Sequence, residues 1–407
     1  MVPHNANADA YWVKCQGFFS DGAIRSKAWL RCEDGVIVGI ESHAPQDSAP
    51  TVAPTGYLVP LLADPHVHFY MDPWPIDPGQ RSVPGDQGLD LETGDAIQRV
   101  RHALAAGIGL LRDLGDPLGV NVAVKRYFAE RSEAAPELQV VGTGIHRPKK
   151  YGRYLGVMRE TLDEIKRTIT HLIEEQQVDC IKLVTTGIVN FERKTVRQSP
   201  QFSIAELTEL VTFAHAQGRP VAAHCSGQDG LEVAIHAGVD FIEHAYFMTD
   251  DQLARLTEEQ LVWTPTFAPV YTQYAQPDCG WSEEVRGCIR EILVDHTQLL
   301  ATAHQRGTAV MAGTDAGCPG VEMGRGLRTE LACMAEAGIP AVDLLQLATT
   351  GTAQLCGART YTGRVEPGAP ASFGLYTQPP WESIQHLETL SDVFHQGQRI
   401  ESAISTN

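Results

Sequence analysis

The sequence has few basic residues and lacks the patterns that mark secretion or membrane insertion. Its 32 Lys and Arg are outnumbered by 50 Asp and Glu, which gives a formal net charge of −18 over 407 residues. Nucleic acids and anionic membrane surfaces attract basic patches, so we expect neither as a partner. No apolar run is long enough to span a bilayer. Residues 1–14 lack the basic head and apolar core of a signal peptide, so we expect none.

Paired cysteines and phosphate-binding glycines are also missing. The nine cysteines are an odd number, and none lies in a Cys-x-x-Cys pair. We interpret them as reduced thiols of a cytoplasmic protein rather than as a disulfide framework. No glycine-rich loop follows the first long apolar run, which disfavours a doubly wound nucleotide-binding sheet. With 43% apolar and 20% charged residues, the composition is that of a globular protein with a sizeable core.

From Leu58 onward, short apolar runs alternate with amphipathic helical stretches, which is the pattern of repeated βα units and a parallel sheet. Helical stretches such as Thr161–Gln177 and Ile204–Gln217 separate the runs, and Gly218 is a plausible helix stop. Eight runs predict a TIM-type (β/α)8 barrel over residues 58–357. The eight runs are Leu58–Phe69, Ile108–Asp113, Leu138–Thr143, Cys180–Thr186, Pro220–Cys225, Phe241–Tyr246, Leu261–Phe267 and Thr308–Thr314.

Both ends of the chain have a β-strand pattern without a helical period. We expect residues 1–57 and 358–407 to pair into one small β-rich domain that flanks the barrel. The fold class predicted from the sequence is therefore α/β, a barrel with a small β domain formed by both chain ends. The candidate strands are Tyr11–Gly17, Ala28–Cys32 and Val36–Glu41 at the start, and Ala371–Tyr376, Leu390–His395 and Gln398–Ala403 at the end.

Polar side chains stand at the ends of several of these apolar runs, where barrel active sites are built. In a strand, residues two apart point the same way, so His66 and His68 should project together and suit a first-row metal ion. Three further runs add a histidine or an aspartate, and one adds a lysine. The full set of candidate metal ligands is His66, His68, Lys182, His224, His244 and Asp315.

Each candidate also has an ordinary structural alternative. His224 could be a core histidine, and His244 could form a simple ion pair with the adjacent Glu243. Asp315 could cap a following helix, and Lys182 could extend its ammonium to solvent. A lysine between Ile181 and Leu183 in a predicted interior strand is harder to explain, because a buried ammonium costs several kcal/mol unless it is paired. Carbamylation would turn its end into a carboxylate able to bridge two metals.

With these residues in place, the chain resembles the amidohydrolase superfamily over nearly its whole length. The similarity is greatest to the prolidase-like and imidazolonepropionase-like branch with a carboxylated lysine. Two segments, DPHVH (64–68) and GTDAG (313–317), are shared across the superfamily. The more selective segments are DCIKLVTTG (179–187), AAHCSGQDGLEVAIHAGVDFIEHA (222–245) and LATTGTAQLCG (347–357).

The resemblance implies a role for each of the six residues. His66 and His68 would bind the first of two divalent metal ions, with zinc as the favoured metal. His224 and His244 would bind the second, and carbamylated Lys182 would bridge the two. Asp315 would bind the first metal and act as the catalytic group, taking a proton from a hydroxide nucleophile and passing it to the leaving nitrogen.

The substrate side of the predicted site is less similar to that branch. Thr186-Gly187-Ile188 stands where members often have Thr-Gly-Gly. A basic and aromatic cluster follows the third strand, and it either binds a substrate carboxylate or is a solvated loop. Its members are His146, Arg147, Lys149, Lys150, Tyr151, Arg153 and Tyr154. We select His146 and Tyr151 as substrate-contact candidates, with Arg193, Lys194 and Arg197 as alternatives.

The sequence therefore predicts a binuclear metal-dependent hydrolase that cleaves an amide C–N bond in a small, carboxylate-bearing substrate, such as an Xaa-Pro dipeptide or an N-acyl amino acid. One alternative is a cyclic amidohydrolase that opens imidazolone, hydantoin or lactam rings. Another is lactone or phosphotriester hydrolysis at the same site. A non-catalytic scaffold is the alternative from a different class, and it predicts missing ligands. The sequence leaves open whether the chain forms a homo-oligomer.

Overall fold

The structure is a computed structural model that describes residues 10–47, 49–52, 55–77, 88–276 and 279–401. The strands that flank the parallel part are β1 Ala10–Ser20, β2 Ala23–Glu33, β3 Val36–Glu41, β4 Gly56–Pro60, β16 Phe373–Tyr376, β17 Leu390–His395 and β18 Gln398–Ile400. The remaining strands are β5 Leu62–Val67, β6 Ile108–Asp113, β7 Glu137–Val140, β8 Gly144–His146, β9 Gly156–Met158, β10 Ile181–Val184, β11 Val189–Asn190, β12 Thr195–Val196, β13 Val221–Cys225, β14 Phe241–His244 and β15 Val262–Thr264.

Helices separate most of the parallel strands. The α-helices are α1 Leu89–Ala105, α2 Val120–Ala129, α3 Leu162–Glu174, α4 Ile204–His215, α5 Gln228–Ala237, α6 Asp250–Glu258, α7 Phe267–Ala275, α8 Glu283–Arg306, α9 Arg325–Ala335, α10 Ala341–Gln346 and α11 Thr352–Leu355. A π-helical turn, Leu347–Gly351, joins the last two, and a 3-10 helix spans Ile384–Thr389. None of the helices in the described ranges is long and apolar enough to cross a membrane.

The parallel strands form two sheets, and they confirm the predicted α/β class. One sheet has the order β15-β14-β13-β10-β8-β9 and the other β5-β6-β7. Every pairing within them is parallel. All five residues of β13 are buried, as expected for strands covered on both faces by helices and by the opposite strands.

The eighth predicted strand, Thr308–Thr314, is less regular than the sequence predicts. Single parallel bridges, Trp263 to Val310 and Val67 to Ala316, replace a continuous ladder on its two sides. Between β7 and β10 the connection is a hydrogen bond from the Asp179 N–H to the Val140 carbonyl at 2.8 Å. The ladders of the described residues therefore form separate sheets, and closure into a barrel stays a prediction at this point.

The two chain ends share one sheet, of order β18-β17-β16-β4-β1-β2-β3. Strand β4 makes the connection, because it pairs parallel with β1 and antiparallel with β16. The predicted strands Val36–Glu41 and Leu390–His395 have the bounds observed in the structure. Ala403, the end of the predicted last strand, lies outside the described residues.

The prediction of one strand over Leu58–Phe69 is wrong, because the run is divided between two sheets. Residues up to Pro60 belong to β4, while Leu62–Val67 pairs with β6. The break follows Pro60, and the next two N–H groups bond in different directions: Leu61 to the Ser372 carbonyl and Leu62 to the Gly107 carbonyl. Apolar character is continuous across both strands, so the sequence pattern did not show the change of sheet.

Helices α3 and α4 begin where the sequence predicts and end slightly earlier. Thr161 and Ser203 both form capping boxes, each with the glutamate three residues later. Such reciprocal caps satisfy backbone donors that have no partner inside the helix. Gly218 follows α4 with φ 69, a left-handed conformation that glycine adopts at low cost. These ends bring the chain into β13 at a fixed point.

One prediction concerns Glu137, whose carboxylate accepts hydrogen bonds from the N–H groups of Arg359, Thr360 and Tyr361 and from the Thr360 hydroxyl. Burial alone would raise its pKa, but these hydrogen bonds outweigh burial and hold the pKa below the ordinary value. Glu137→Gln should lower the free energy of unfolding near neutral pH by about 1–3 kcal/mol. Because the folded-state pKa is lowered, this stabilisation is present above the ordinary glutamate pKa and is lost as the pH falls through the folded value.

Urea unfolding midpoints measured from pH 7 down to pH 3 test this prediction. Glu130→Gln is the matched control, since Glu130 is exposed and lies 4.0 Å from Arg131. The gap between wild type and Glu137→Gln should narrow at low pH, and a pH-independent gap would contradict the proposed origin of the effect.

Candidate metal centre

Two strand-end histidines and an aspartate from the far end of the parallel region converge on one point. The Nε2 atoms of His66 and His68 lie 3.4 and 3.2 Å from the same Oδ1 of Asp315. One ligand atom each from His66, His244 and Asp315 lie within 4.8 Å of one another. This His–His–Asp cluster, of His66, His244 and Asp315, joins residues nearly 250 positions apart in the chain. It is of the kind that holds a divalent metal.

His224 extends this cluster through its contact with His244. The rings of His224 and His244 are 4.5 Å apart between centroids, and those of His66 and His244 are 5.1 Å apart. All three side chains are buried. Strands β13 and β14 pair with His224 opposite Glu243, so adjacent strands bring these histidines together. The predicted histidines therefore form one continuous group of imidazoles.

The nitrogen of each ring that faces away from the cluster has its own partner. His66 Nδ1 lies 2.7 Å from a carboxylate oxygen of Glu243, and His68 Nδ1 lies 2.9 Å from the Gly115 carbonyl. A carbonyl accepts only, so His68 must carry its proton on Nδ1. Its Nε2 is then the nitrogen on the side of Asp315, where a metal ion would bind.

Each of the other two histidines also has a partner for one ring nitrogen, but not for the same one. His244 Nδ1 lies 2.7 Å from the Thr266 hydroxyl oxygen. His224 has the opposite arrangement, with Nε2 3.4 Å from the Gly187 carbonyl. Nδ1 of His224 and Nε2 of His244 are therefore the nitrogens left for a metal ion.

Lys182 lies in β10 with 1% of its surface exposed. Its Nζ is buried and has no hydrogen-bond partner among the described residues. Burial lowers the pKa of Lys182, and the carboxylates of Glu243 and Asp315 only partly oppose this. The predicted alternative in which this lysine reaches solvent is wrong. A buried amine with a lowered pKa beside imidazoles and a carboxylate fits a divalent metal centre completed by modification of that amine.

The ionisation states of the other groups also fit metal binding. Burial and then Lys182 lower the pKa of His224 to about 3. Burial and then His224 hold the pKa of His244 well below its ordinary value. For Asp315, burial would raise the pKa, but His66 and His68 outweigh it and hold the pKa well below the ordinary value. Neutral His224 and His244 and an ionised Asp315 are in the forms that bind metals. His66 differs, because burial would lower its pKa but Glu243 and Asp315 outweigh burial and raise the pKa, which favours the protonated form that a metal ion would have to displace.

Backbone strain is concentrated at the same strand ends. His244 has φ 73, Asp315 has φ 55 and Thr266 has φ 53, all in the left-handed region. Non-glycine residues there cost about 1–3 kcal/mol each and persist where the surroundings over-determine them.

The alternative of Asp315 as a helix cap does not hold, because its carboxylate is engaged by His66 and His68.

Glu243 and Arg112 are the main residues that sequence reasoning missed. The suggested ion pair of Glu243 with His244 is wrong, because Glu243 bonds His66 and lies 3.2 Å from the Arg112 guanidinium. The Nε of Arg112 donates to the Pro65 carbonyl at 2.8 Å. A charged residue inside each of two predicted buried strands was the available signal, the same signal that identified Lys182.

The two substrate-contact candidates differ in whether they contact the cluster. The Tyr151 ring is 5.1 Å from the His224 ring, so Tyr151 borders the cluster. Gln201 Nε2 donates to the Tyr151 carbonyl at 2.8 Å and fixes its backbone. His146 is buried, and its Nδ1 lies 3.0 Å from the Arg147 carbonyl. No contact of His146 with the cluster is recorded in the described part of the chain, so its role stays a prediction.

Several of the basic residues near the mouth have partners in the protein itself. Arg147 bonds Glu206 and the Glu160 carbonyl and lies over the Phe202 ring. Lys150 bonds Ser199, and Lys194 pairs with Glu291. These cations hold loops in place in the structure.

Comparisons with known proteins give one family. The model described as the Amidohydrolase family matches residues 57–400. An uncharacterized protein of Mycobacterium tuberculosis is 28% identical over 349 residues, which are 85% of each chain. Ochratoxinase of Aspergillus niger is 24% identical over 404 residues, covering 92% of this chain and 82% of that protein.

Solved structures show the same fold. A crystal structure of A. niger ochratoxinase has a TM-score of 0.78 at 20% identity, covering 97% of this chain and 96% of that one. A crystal structure of a Xaa-Pro dipeptidase with bound methionine in its active site has a TM-score of 0.81 at 23% identity, covering 96% of this chain and 99% of that one.

A prediction follows for Glu243→Gln. The amide cannot accept from both His66 and Arg112 as the carboxylate does, and it leaves the buried guanidinium without a counter-charge. Metal affinity should fall about 10–100-fold, as is typical when the partner of a metal-binding histidine is changed. Chelator-competition titration with zinc measures this change.

Glu232→Gln is the matched control, because Glu232 also pairs with an arginine, Arg255, but at the surface. It should leave metal affinity within about twofold of wild type, since exposed ion pairs contribute little. Equal affinities for wild type and Glu243→Gln would show that this carboxylate does not orient His66.

Proposed function

This chain belongs to the amidohydrolase family, a family of hydrolases, and from this premise we propose that it is a binuclear metal-dependent hydrolase acting on the C–N bond of an amide. The proposed substrate is small and bears a carboxylate, as an Xaa-Pro dipeptide or an N-acyl amino acid does. The observation that carries the proposal is Lys182 Nζ, which is buried without a hydrogen-bond partner in the described structure and is near enough to Glu243 and Asp315 for their charges to act on it.

In this proposal the six residues hold two metal ions. His66, His68 and Asp315 hold the first, and His224 and His244 hold the second. Lys182, as a carbamate, would help to hold both metal ions. Its neutral amine adds to the carbon of carbon dioxide and loses a proton, which places a carboxylate where the structure has an orphaned nitrogen. Zinc is the metal we propose, because imidazole and carboxylate ligands suit it.

Bound divalent ions would supply water activation near neutral pH and polarisation of the substrate carbonyl. The chain's own catalytic group is Asp315, which accepts the proton of the attacking water and delivers it to the leaving nitrogen. A low pKa keeps Asp315 ionised and ready to accept that proton. Glu243 and the Thr266 hydroxyl hold the histidines in the required orientation.

The closed (β/α)8 barrel and the three-part domain division are part of the proposal. The bridges Trp263 to Val310 and Val67 to Ala316, with the Asp179 to Val140 hydrogen bond, support closure because they join neighbouring sheets in a ring. The barrel would span residues 58–357, except that Leu58–Pro60 belong to β4 of the flanking sheet. The shared sheet of residues 1–57 and 358–407 would be the small β domain.

Tyr151 and His146 are the proposed substrate contacts. Tyr151 borders His224, and burial raises its pKa, so it stays a neutral hydrogen-bond donor. The likeness to a Xaa-Pro dipeptidase makes Xaa-Pro dipeptides the first candidates for assay. None of the nine cysteines forms a disulfide, which is consistent with a reducing, cytoplasmic location, and we propose that location on this ground.

The prediction that tests the metal centre is Lys182→Ala. Purified wild type should contain about two divalent ions per chain by elemental analysis, whereas Lys182→Ala should lose metal because the bridging carboxylate is gone. Added short carboxylic acids should partly restore both metal and turnover. Lys194→Ala, which removes an exposed lysine paired with Glu291, is the control and should behave as wild type. Retention of two metals and full turnover by Lys182→Ala would refute the bridging role.

A second prediction concerns Asp315→Asn. The amide keeps one oxygen ligand but cannot take the proton, so most metal should remain while turnover falls by about 10²–10⁴-fold. Asp229→Asn, on the exposed face of α5, is the control. Turnover is followed on Xaa-Pro dipeptides and N-acyl amino acids, with cyclic amides, lactones and phosphotriesters in parallel. Hydrolysis of the latter three alone would replace the proposed substrate class.

A further inference from the structure

We propose that His296, on helix α8, is a positioning residue that fixes the orientation of His244 through the turn at Thr266. The sequence motifs did not single out His296, and it lies on a helix outside the strand ends. The inference rests on the proposed role of His244 as a metal ligand. Its physical content, which nitrogen of His244 carries the proton, can also be tested without metal.

His296 is buried, with 3% of its surface exposed. Its ring stacks on Tyr246 with centroids 4.0 Å apart and planes at 16°, and Phe267 and Trp263 contact it edge-on. Nε2 lies 3.1 Å from the Pro265 carbonyl, which can only accept. His296 must therefore be protonated on Nε2. Its Nδ1 is buried without a partner in the described structure.

The turn that His296 touches is strained. Thr266 has φ 53 and ψ 58, and a β-branched residue in the left-handed region is a genuine outlier. Tyr246 holds the turn from a second side by donating its hydroxyl to the Thr266 carbonyl at 3.0 Å. Glu330 holds it from a third, where its carboxyl accepts from the Ala268 N–H at 2.7 Å. Such strain persists only when the surroundings over-determine it.

The strained turn fixes the proton position on His244. The Thr266 hydroxyl donates to the Pro265 carbonyl at 2.8 Å. Its single hydrogen is then used, so the contact at 2.7 Å to His244 Nδ1 must be donated by His244. His244 is protonated on Nδ1, and its Nε2 lone pair faces the cluster. The backbone is fixed as well, because Trp263 Nε1 donates to the His244 carbonyl at 3.0 Å.

His296 supports this state by holding the Pro265 carbonyl where the Thr266 hydroxyl can reach it. Without the Nε2 donor, the carbonyl can turn away, and the Thr266 hydroxyl can donate to His244 Nδ1 instead. His244 would then carry its proton on Nε2, which removes the lone pair needed for a metal bond. Loss of one hydrogen bond on α8 is thus converted into the wrong tautomer at the ligand.

The experiment compares His296→Phe with His296→Gln in the full chain. Phenylalanine keeps the ring stack on Tyr246 but lacks the donor, whereas glutamine restores a donor without the ring. His395→Phe is the matched control, because His395 is also buried and its Nδ1 has no partner in the described structure, but it lies in β17 of the flanking sheet. Circular dichroism and thermal unfolding verify that each variant folds.

Zinc affinity is the first readout, measured by chelator competition. His296→Phe should weaken binding of one metal ion about 10-fold or more, as second-layer changes typically do. His296→Gln should recover most of that affinity, and His395→Phe should bind as wild type. Wild-type affinity in folded His296→Phe would overturn the proposal. If His296→Phe does not fold, Tyr246→Phe, which removes only the hydroxyl on the Thr266 carbonyl, should show a smaller loss in the same direction.

The second readout is the ring-nitrogen NMR spectrum of histidine in metal-free protein labelled at histidine nitrogens. Wild type should show His244 protonated on Nδ1, and His296→Phe should show a shift toward the Nε2 form. An unchanged tautomer would overturn the positioning role even if metal binding changed. If wild type binds no metal but His296→Phe still shows the tautomer shift, the proposed function is refuted and the positioning role stands.

Discussion

The amino group of Lys182 imposes the constraint on which the site depends. A charged ammonium without a partner in this interior would cost many kcal/mol, so the group must be neutral, paired or modified. Its Nζ has no hydrogen-bond partner among the described residues, and burial lowers its pKa. The nearby carboxylates already have partners, since Asp315 is held by His66 and His68. Two metal ions and a carbamate on Lys182 would resolve this. The carbamate would replace the unpartnered amine by an acidic group, and the metal ions would supply the positive charge that balances it.

The residues that hydrogen-bond the histidines orient them toward a position where a cation would bind. Each outward nitrogen meets a different kind of partner: a carboxylate for His66, backbone carbonyls for His68 and His224, and a hydroxyl for His244. Burial keeps His224 and His244 neutral even before a metal binds. The imidazoles are thus pre-oriented, and His224 and His244 are already deprotonated, which would reduce the free energy that metal binding must supply for ordering.

The sequence predicted six candidate metal ligands because polar side chains at the ends of apolar runs are rare, and the parallel topology brings such ends together. Their metal-binding role stays a prediction. The sequence could not predict what lies behind them. The partner of Glu243 was misjudged because the prediction rested on adjacency to His244 in the chain, whereas Glu243 pairs with His66 and Arg112 from other strands. His296 comes from a helix more than fifty residues after His244, and no periodicity links the two. The division of Leu58–Phe69 between two sheets was likewise hidden, because both strands are equally apolar.

The irregular eighth strand shows how the site is compatible with a stable fold. Asp315, which follows this strand, is left-handed, and among the described residues single bridges join this part of the chain to its neighbours. Asp64 replaces part of the missing ladder, because its carboxyl group accepts from the Thr314 N–H at 3.0 Å and the Thr314 hydroxyl at 2.7 Å, and from the His66 N–H at 3.4 Å. Burial raises the pKa of Asp64 to about 7 despite these bonds. One buried side chain thus ties the first and eighth strands together next to both ligands, so the backbone can leave regular geometry where the cluster requires it.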